Sequence, residues 1–102
     1  MKVRFIAPAK RELIGASRFY EKRVSGLGGA FLDEVEHGIA LIKQYPHASP
    51  EAYTRGVRRA RLRQFPYGIV YRVENQMIVV FAVAHLKRRP KYWLRRIGRF
   101  WG

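Results

Sequence analysis

The spacing of apolar residues predicts a short strand and then a helix at the start of the chain. Val3 and Phe5 alternate with Lys2 and Arg4, which is the period-two pattern of a strand with one apolar face. Pro8 follows at a position that the first turn of a helix tolerates. From there, apolar side chains recur every three or four residues, as along one face of an amphipathic helix: Ala9, Leu13, Ala16, Tyr20 and Val24.

A second helix is predicted after a glycine-rich break, SGLGG, in which Gly26 suits a left-handed cap at the end of the first helix. Pro46 marks the end of the second helix, whose apolar stripe consists of Phe31, Val35, Ile39 and Ile42. Because the break is short, the two helices should form an antiparallel hairpin. The charged residues outside the stripes are expected to form a solvated surface: Lys10, Arg11, Glu12, Arg18, Asp33, Glu34 and Glu36.

After a loop at residues 47–56, the pattern changes to that of strands. Residues 57–63, VRRARLR, predict a strand with Arg58, Ala60 and Leu62 on one face and Arg59, Arg61 and Arg63 on the other. Residues 68–74 predict a second strand, and Asn75-Gln76 a tight turn. Residues 77–84, MIVVFAVA, are apolar throughout, so this strand should be central in its sheet and covered on both faces.

These elements predict a single α+β domain over residues 1–102. It should contain an N-terminal strand, an antiparallel helical hairpin, an antiparallel three-stranded meander and a short C-terminal helix that starts near Pro90. The hairpin can cover one face of the sheet, and the C-terminal helix or a partner protein must cover the other. Ile97, Phe100 and Trp101 are expected to form an apolar tail that a partner or a second copy of the chain covers.

The distribution of charge adds an expectation about partners. The chain carries a formal net charge of +14. Residues 1–54 hold 8 Lys and Arg against 6 Asp and Glu, whereas residues 55–102 hold 13 basic residues against one acid, Glu74. Such an asymmetry favours an anionic partner, either a polyanion or an acidic protein.

Several classes of function receive no support from the sequence. It contains no cysteine, which rules out disulfides and thiol chemistry and fits a reducing cytoplasm. The apolar stretch near the N-terminus is too short for a signal peptide or a membrane span, so no membrane association is expected. His37, His47 and His85 lie in three different predicted elements without ligand spacing, so neither a metal site nor a cofactor is predicted.

Three strings resemble the RelE/ParE superfamily of type II toxin–antitoxin toxins, and its ParE-like branch most closely. They are AKRELIGASRFYE, GLGGAFLDEVEHGIALIKQYP and RQFPYGIVYRVENQMIVVFAVAHLKRRPKYWLRR, which together extend from Ala9 to Arg96. The resemblance implies a bacterial cytoplasmic toxin that forms a hetero-oligomer with an acidic, partly disordered antitoxin. ParE-like members inhibit DNA gyrase, whereas RelE-like members cut messenger RNA on the ribosome without a metal.

The expected function is therefore a growth-inhibiting toxin that binds DNA gyrase, and the alternative is a ribosome-dependent endoribonuclease. Arg58, Arg61, His85 and Tyr92 are the residue types that metal-free RNA cleavage would need. RNA-cutting members carry an arginine at the position of Gly68, which disfavours this alternative. His85 has a second interpretation as a structural hydrogen-bonding residue that fixes the turn into residues 86–90.

The residues predicted to bind the target or the antitoxin are mostly arginines, because a guanidinium binds two oxygens of a carboxylate or phosphate at once. Tyr92 and Trp93 are more typical of packing residues than of platforms for nucleotide bases. The predicted binding set is Arg58, Arg59, Arg61, Arg63, Lys87, Arg88, Arg89, Trp93, Arg95 and Arg96.

Overall fold

The computed structural model describes residues 1–54 and 56–101, with the side chains of Phe100 and Trp101 outside the described part. The expectation that those two side chains form an apolar tail therefore lies outside the described residues. The elements along the chain are β1 (Lys2–Phe5), α1 (Ala7–Arg23), α2 (Leu27–Gln44), β2 (Val57–Arg61), β3 (Tyr67–Glu74), β4 (Met77–His85) and α3 (Lys91–Trp101). The predicted α+β fold is confirmed. None of the described helices is long and apolar enough to cross a membrane.

The four strands form one sheet in the order β1-β4-β3-β2. β2, β3 and β4 pair antiparallel, and β1 pairs parallel with β4. β4 is therefore internal, as its continuous apolar sequence predicts. Asn75 and Gln76, which join β3 to β4, both have positive φ angles, 49° and 64°, which is the backbone of a tight hairpin turn.

The register assigns each strand residue to one of two faces, because directly opposed residues in a sheet point the same way. Tyr67, Ile69 and Tyr71 of β3 share a face with His85, Val83 and Val80 of β4. This face carries the α1–α2 hairpin, since the Tyr71 hydroxyl donates to the Pro46 carbonyl at 2.8 Å and the Ile69 side chain reaches Gly38. We call it the helix face.

The opposite face, the second face, contains Val57, Val70 and Ala82, all fully buried. α3 packs against β4, and Trp93 within it is only 2% exposed. The C-terminal helix, one of the two covers that the sequence allowed for this face, thus packs on the sheet.

The helical hairpin differs from the prediction at its turn. Val24 is 57% exposed and lies just after α1, so it does not belong to the buried stripe. Gly26 is left-handed, with a φ of 89°, but it is the N-cap residue that precedes α2, not the cap of α1. In the absence of a capping side chain on Gly26, the Glu21 carboxylate accepts hydrogen bonds from the N–H groups of Gly26 and Gly28, each at 2.9 Å.

Candidate partner-binding surface

An ion pair closes the edge of β4 where β1 ends. β1 pairs with β4 only as far as Val80, while β4 continues to His85. Beyond that point, Glu12 accepts a hydrogen bond from the Val83 N–H at 3.0 Å, and Arg96 donates to the Phe81 carbonyl at 3.0 Å. The two side chains also bind each other through two contacts of 2.9 Å. We call this region the closed edge.

The closed edge corrects two expectations. Glu12 was expected on a solvated surface, but its side chain is only 17% exposed, as is that of Arg96. Arg96 was expected to bind a partner, but its guanidinium is occupied inside the fold. The sequence does contain a pattern that indicates the burial of Glu12. It lies three residues after Ala9 and four before Ala16, so it shares a helix face with these two buried residues.

Tyr92 lies between two guanidinium groups. The Arg88 Cζ is 3.8 Å and the Arg96 Cζ 5.0 Å from the centroid of its ring, which are cation–π distances. The Tyr92 hydroxyl is buried and has no hydrogen-bond partner within the described residues. Burial, together with the negative charge of Glu12, raises the pKa of Tyr92 to about 12. Tyr92 is therefore neutral at physiological pH and cannot act as a base.

The residues predicted for RNA cleavage do not converge. His85 and Tyr92 line a cavity of about 180 Å³ together with Glu12, Ala16, Tyr67, Val83 and Arg88. Neither Arg58 nor Arg61 lines it. His85 Nδ1 accepts the Lys87 N–H at 3.1 Å, which is the turn-fixing contact of its structural interpretation.

Arg58 is occupied by the loop that follows α2. It lies on the helix face, where it donates to the carbonyls of His47 at 3.1 Å and Ser49 at 2.6 Å. Gly68, where RNA-cutting relatives carry an arginine, is buried beneath Arg59. A Cβ added at Gly68 would lie 2.9 Å from the Arg59 Cγ, so the position has no room for a side chain unless Arg59 moves.

The predicted binding residues thus fall into two groups. Arg58 and Arg96 are held by internal contacts, Trp93 is buried beside the Tyr53 ring at 6.0 Å, and Arg88 covers Tyr92. The other cations have no hydrogen bond or ion pair from their side chains to any described residue. They are Arg59, Arg61, Arg63, Lys87, Arg89 and Arg95, and all but the half-buried Arg59 are exposed. We call these six the free cations.

Two of the free cations border a groove between α2 and the end of β2, which the sequence did not indicate. One cavity of about 650 Å³ lies between α2 and the segment that continues β2; its lining residues are Ala30, Asp33, Glu34, His37, Gly38, Leu41, Arg61, Leu62, Arg63 and Gln64. A second, of about 270 Å³, shares Gly38, Leu41 and Arg61 with it and continues to Tyr45 and Ala48. We call the continuous depression the α2–β2 groove.

The described residues of this region form a surface that is partly cationic and partly apolar, and they include no cluster typical of a metal centre. Among the described residues, no three His, Cys, Asp or Glu side chains lie together as metal ligands would. Since the groups required for RNA cleavage are also apart, the surface is best suited to binding an anionic macromolecule. Fold and surface together define a basic α+β protein whose surface carries a set of exposed cations.

Comparison with known proteins identifies the family. Residues 3–90 match the model of the family described as ParE toxin of type II toxin-antitoxin system, parDE, and the chain therefore belongs to this family. It is similar to a solved structure titled "Chromosomal ParDE TA system from P. aeruginosa", with a TM-score of 0.73 and 15% sequence identity. The similarity covers 83% of this chain and 95% of that one, and shows a shared fold. No curated protein matches the chain.

Proposed function

We propose that this chain is a cytoplasmic, single-domain toxin that stops bacterial growth by binding DNA gyrase. A cognate antitoxin, acidic and partly disordered, neutralises it in a hetero-oligomeric complex. Membership of the ParE family supports the toxin–antitoxin context. The observation that carries a binding mechanism is the set of free cations, whose charges no described residue neutralises. A chain that relied on a small active site would not need so many exposed charges at one end of its sequence.

The alternative, ribosome-dependent cleavage of messenger RNA, fits the geometry less well. Arg58 is used by the His47 and Ser49 carbonyls, and His85 and Tyr92 lie in a cavity that Arg61 does not reach. Transfer of a proton from a ribose hydroxyl needs a base within hydrogen-bonding distance of a bound phosphodiester. The raised pKa of Tyr92 removes one candidate base.

Induction of the chain alone in a bacterial host, with pulse-labelling of DNA and protein synthesis, tests the proposal. We expect DNA synthesis to stop first while protein synthesis continues. Purified chain should also inhibit supercoiling by gyrase. A variant that carries Arg89→Glu and Arg95→Glu should lose both effects, and one that carries Lys2→Glu and Arg4→Glu, with the same change in charge on β1, should keep them. An early stop of translation, with cleaved messenger RNA on ribosomes, would instead support the alternative.

A further inference from the structure

The exposed side of α3 is a row of cations. Among the α3 residues whose side chains the structure describes, the exposed ones are Lys91, Arg95, Gly98 and Arg99. The three cations follow one another at intervals of four residues, so they lie within an arc of roughly 80° around the helix and extend over about 12 Å of its length. We call Lys91, Arg95 and Arg99 the α3 stripe.

The chain does not neutralise the α3 stripe. No hydrogen bond or ion pair joins its side chains to a described residue, and Glu12, the acid that contacts α3, is paired with Arg96. Residues 75–102 contain seven Lys and Arg and no Asp or Glu. Lys91 lies in the first turn of α3, where the positive end of the helix dipole disfavours a cation. The charge of the stripe is therefore open to an anion from another molecule.

The opposite side of α3 is occupied by the sheet, which argues against a membrane as the anionic partner. Trp93 is only 2% exposed, and Tyr92, Leu94 and Ile97 pack against the core. An amphipathic helix that binds a membrane needs its apolar face free to enter the lipid. In α3 this face is buried within the chain, and the exposed face presents cations.

The α3 stripe also lacks the anchors of a protein interface. Such interfaces are centred on aromatic or apolar side chains, and none of the exposed large apolar side chains of the described chain belongs to α3. Tyr53, which is 67% exposed, contacts α3 at Trp93, and Trp93 lies roughly 160° around the helix from Arg95. A row of cations without an apolar centre is better matched to a partner that is itself a row of anions.

A nucleic acid duplex is such a partner. Its axis carries one negative charge per about 1.7 Å, so the roughly 12 Å of the α3 stripe faces about seven phosphates. Single strands are instead held by aromatic side chains on which their bases stack. Within the described residues, the stripe includes no aromatic side chain, since Tyr92 lies between Arg88 and Arg96 and Trp93 is buried.

We propose that the α3 stripe binds the phosphate backbone of a nucleic acid duplex. Lys91, Arg95 and Arg99 each contact a phosphate, and the two arginines each present a fork that binds two oxygens. Contacts to phosphates do not read the bases, so binding is independent of sequence. This activity goes beyond the proposed function, because it requires neither gyrase nor the antitoxin. DNA and RNA duplexes share the phosphate chemistry, and both serve as probes.

The salt dependence of binding counts the contacts. The measurement is fluorescence anisotropy of a labelled DNA duplex of about 20 base pairs, titrated with the purified chain between 50 and 200 mM salt. Three phosphate contacts predict a slope of about −2.7 for the logarithm of the association constant against that of the salt concentration, which is a loss of about 40-fold over this range. An RNA duplex and single-stranded DNA of the same length complete the set. Both duplexes should bind more tightly than the single strand, and the tighter duplex identifies the source.

Two triple variants with the same change in net charge test the location. The stripe variant carries Lys91→Gln, Arg95→Gln and Arg99→Gln. The control variant removes three exposed cations of the helical hairpin, two of them also spaced by four residues: Arg18→Gln, Lys22→Gln and Lys43→Gln. The stripe variant should bind the duplex at least about 30-fold more weakly at 50 mM salt and lose most of the slope, and the control should stay within about threefold of wild type. Circular dichroism should show that both variants are folded.

The outcomes separate the inference from the proposed function. If neither duplex binds at 50 mM salt, if single-stranded DNA binds more tightly, or if the two triple variants bind alike, the inference is wrong. Loss of gyrase inhibition in the stripe variant without duplex binding by wild type would assign the stripe to a protein contact, and the proposed function would stand. A chain that binds a duplex through the stripe and does not inhibit gyrase would keep the inference and overturn the proposed function.

Discussion

The closed edge of β4 and the outer edge of β2 at Arg61, which we call the open edge, differ in how the chain treats their backbone groups. At each, a strand exposes backbone N–H and C=O groups beyond the end of its neighbour. At the closed edge, Glu12 and Arg96 form hydrogen bonds with these backbone groups and an ion pair with each other. Both side chains are largely buried. At the open edge, the Arg61 side chain is exposed, and no described residue forms a hydrogen bond or an ion pair with its guanidinium.

The difference shows that an arginine beside a strand edge has two distinct roles in this chain. Where an acidic side chain lies within reach, as Glu12 does, the arginine completes the fold and is not available to a partner. Where no acidic side chain pairs with it, as at Arg61, the arginine keeps its charge exposed and can meet an acid from another molecule. The comparison predicts that substitutions at the two edges separate stability from binding.

Arg96→Ala should have the largest effect on stability. It leaves the largely buried Glu12 carboxylate without its counter-ion and the Phe81 carbonyl without the Arg96 donor. We expect the free energy of unfolding to fall by about 2–4 kcal/mol. The measurement is urea denaturation followed by circular dichroism. Arg95→Ala, on the exposed neighbour, is the control and should change stability by less than about 0.5 kcal/mol. Equal effects of the two substitutions would show that the closed edge contributes little.

Arg58→Ala should have the next largest effect and distinguishes internal from free arginines within a single strand. The substitution removes two hydrogen bonds to the His47 and Ser49 carbonyls. The cost should be about 1–2 kcal/mol, since the donor is charged but the site is partly exposed. Arg61→Ala, in the same strand, should leave the denaturation midpoint unchanged.

Binding should show the reverse order, because Arg61 is a free cation, whereas the guanidinium of Arg58 is held by the His47 and Ser49 carbonyls. At a temperature where all variants are folded, Arg61→Ala should raise the Kd for the antitoxin and Arg58→Ala should not. If Arg58→Ala weakened binding and left stability intact, the division into internal and free arginines would fail.

The sequence predicted the elements well because each has a strong periodic pattern. The continuous apolar run of β4 was sufficient to place it inside the sheet, and the alternation in β2 assigned Arg58 and Arg59 to opposite faces. The roles of individual arginines could not be predicted. Arg96 and Glu12 are 84 residues apart, and only the parallel pairing of β1 with β4 and the packing of α3 bring them to one edge.

The groove was also beyond sequence reasoning. Its lining comes from α2, a loop and the end of β2, and its depth depends on how far α2 stands from the strand edge. The resemblance to a family predicted that a partner binds, but not which cations remain free for it. That distinction depends on tertiary contacts such as those of Arg58 with the His47 and Ser49 carbonyls.

Glu21 extends the comparison to a third set of backbone donors, at the turn between α1 and α2. Its carboxylate accepts the Gly26 and Gly28 N–H groups, and these hydrogen bonds lower the pKa of Glu21. A carboxyl with a lower pKa in the folded than in the unfolded state stabilises the fold above its unfolded pKa, and this contribution disappears as the pH falls through the folded pKa.

The test compares the melting temperatures of wild type and Glu21→Gln from pH 7 down to pH 3. Wild type should melt higher at pH 7, and the difference should shrink as the solution becomes more acidic. Glu36→Gln, on an exposed helical residue for which the structure gives no hydrogen bond, serves as the control. A difference that stayed constant with pH would show that the charge of Glu21 is not what closes the turn.

Tyr92→Phe should have the smallest effect on stability. It tests whether Tyr92 stabilises the closed edge through the contacts of its ring with cations or through its hydroxyl. The hydroxyl is buried and makes no hydrogen bond of good geometry among the described residues, and the substitution retains the ring that Arg88 and Arg96 contact. Stability at pH 7 should therefore remain within about 0.5 kcal/mol of wild type or rise slightly.

The pH dependence of the same variant provides the sharper readout. Since burial raises the pKa of Tyr92 to about 12, the folded state disfavours tyrosinate, and wild type should lose stability as the pH rises from about 10 towards 12. The phenylalanine variant lacks this titration and should become more stable than wild type over that range. A loss of more than about 1 kcal/mol at pH 7 would instead mean that the hydroxyl holds a structural contact at the closed edge.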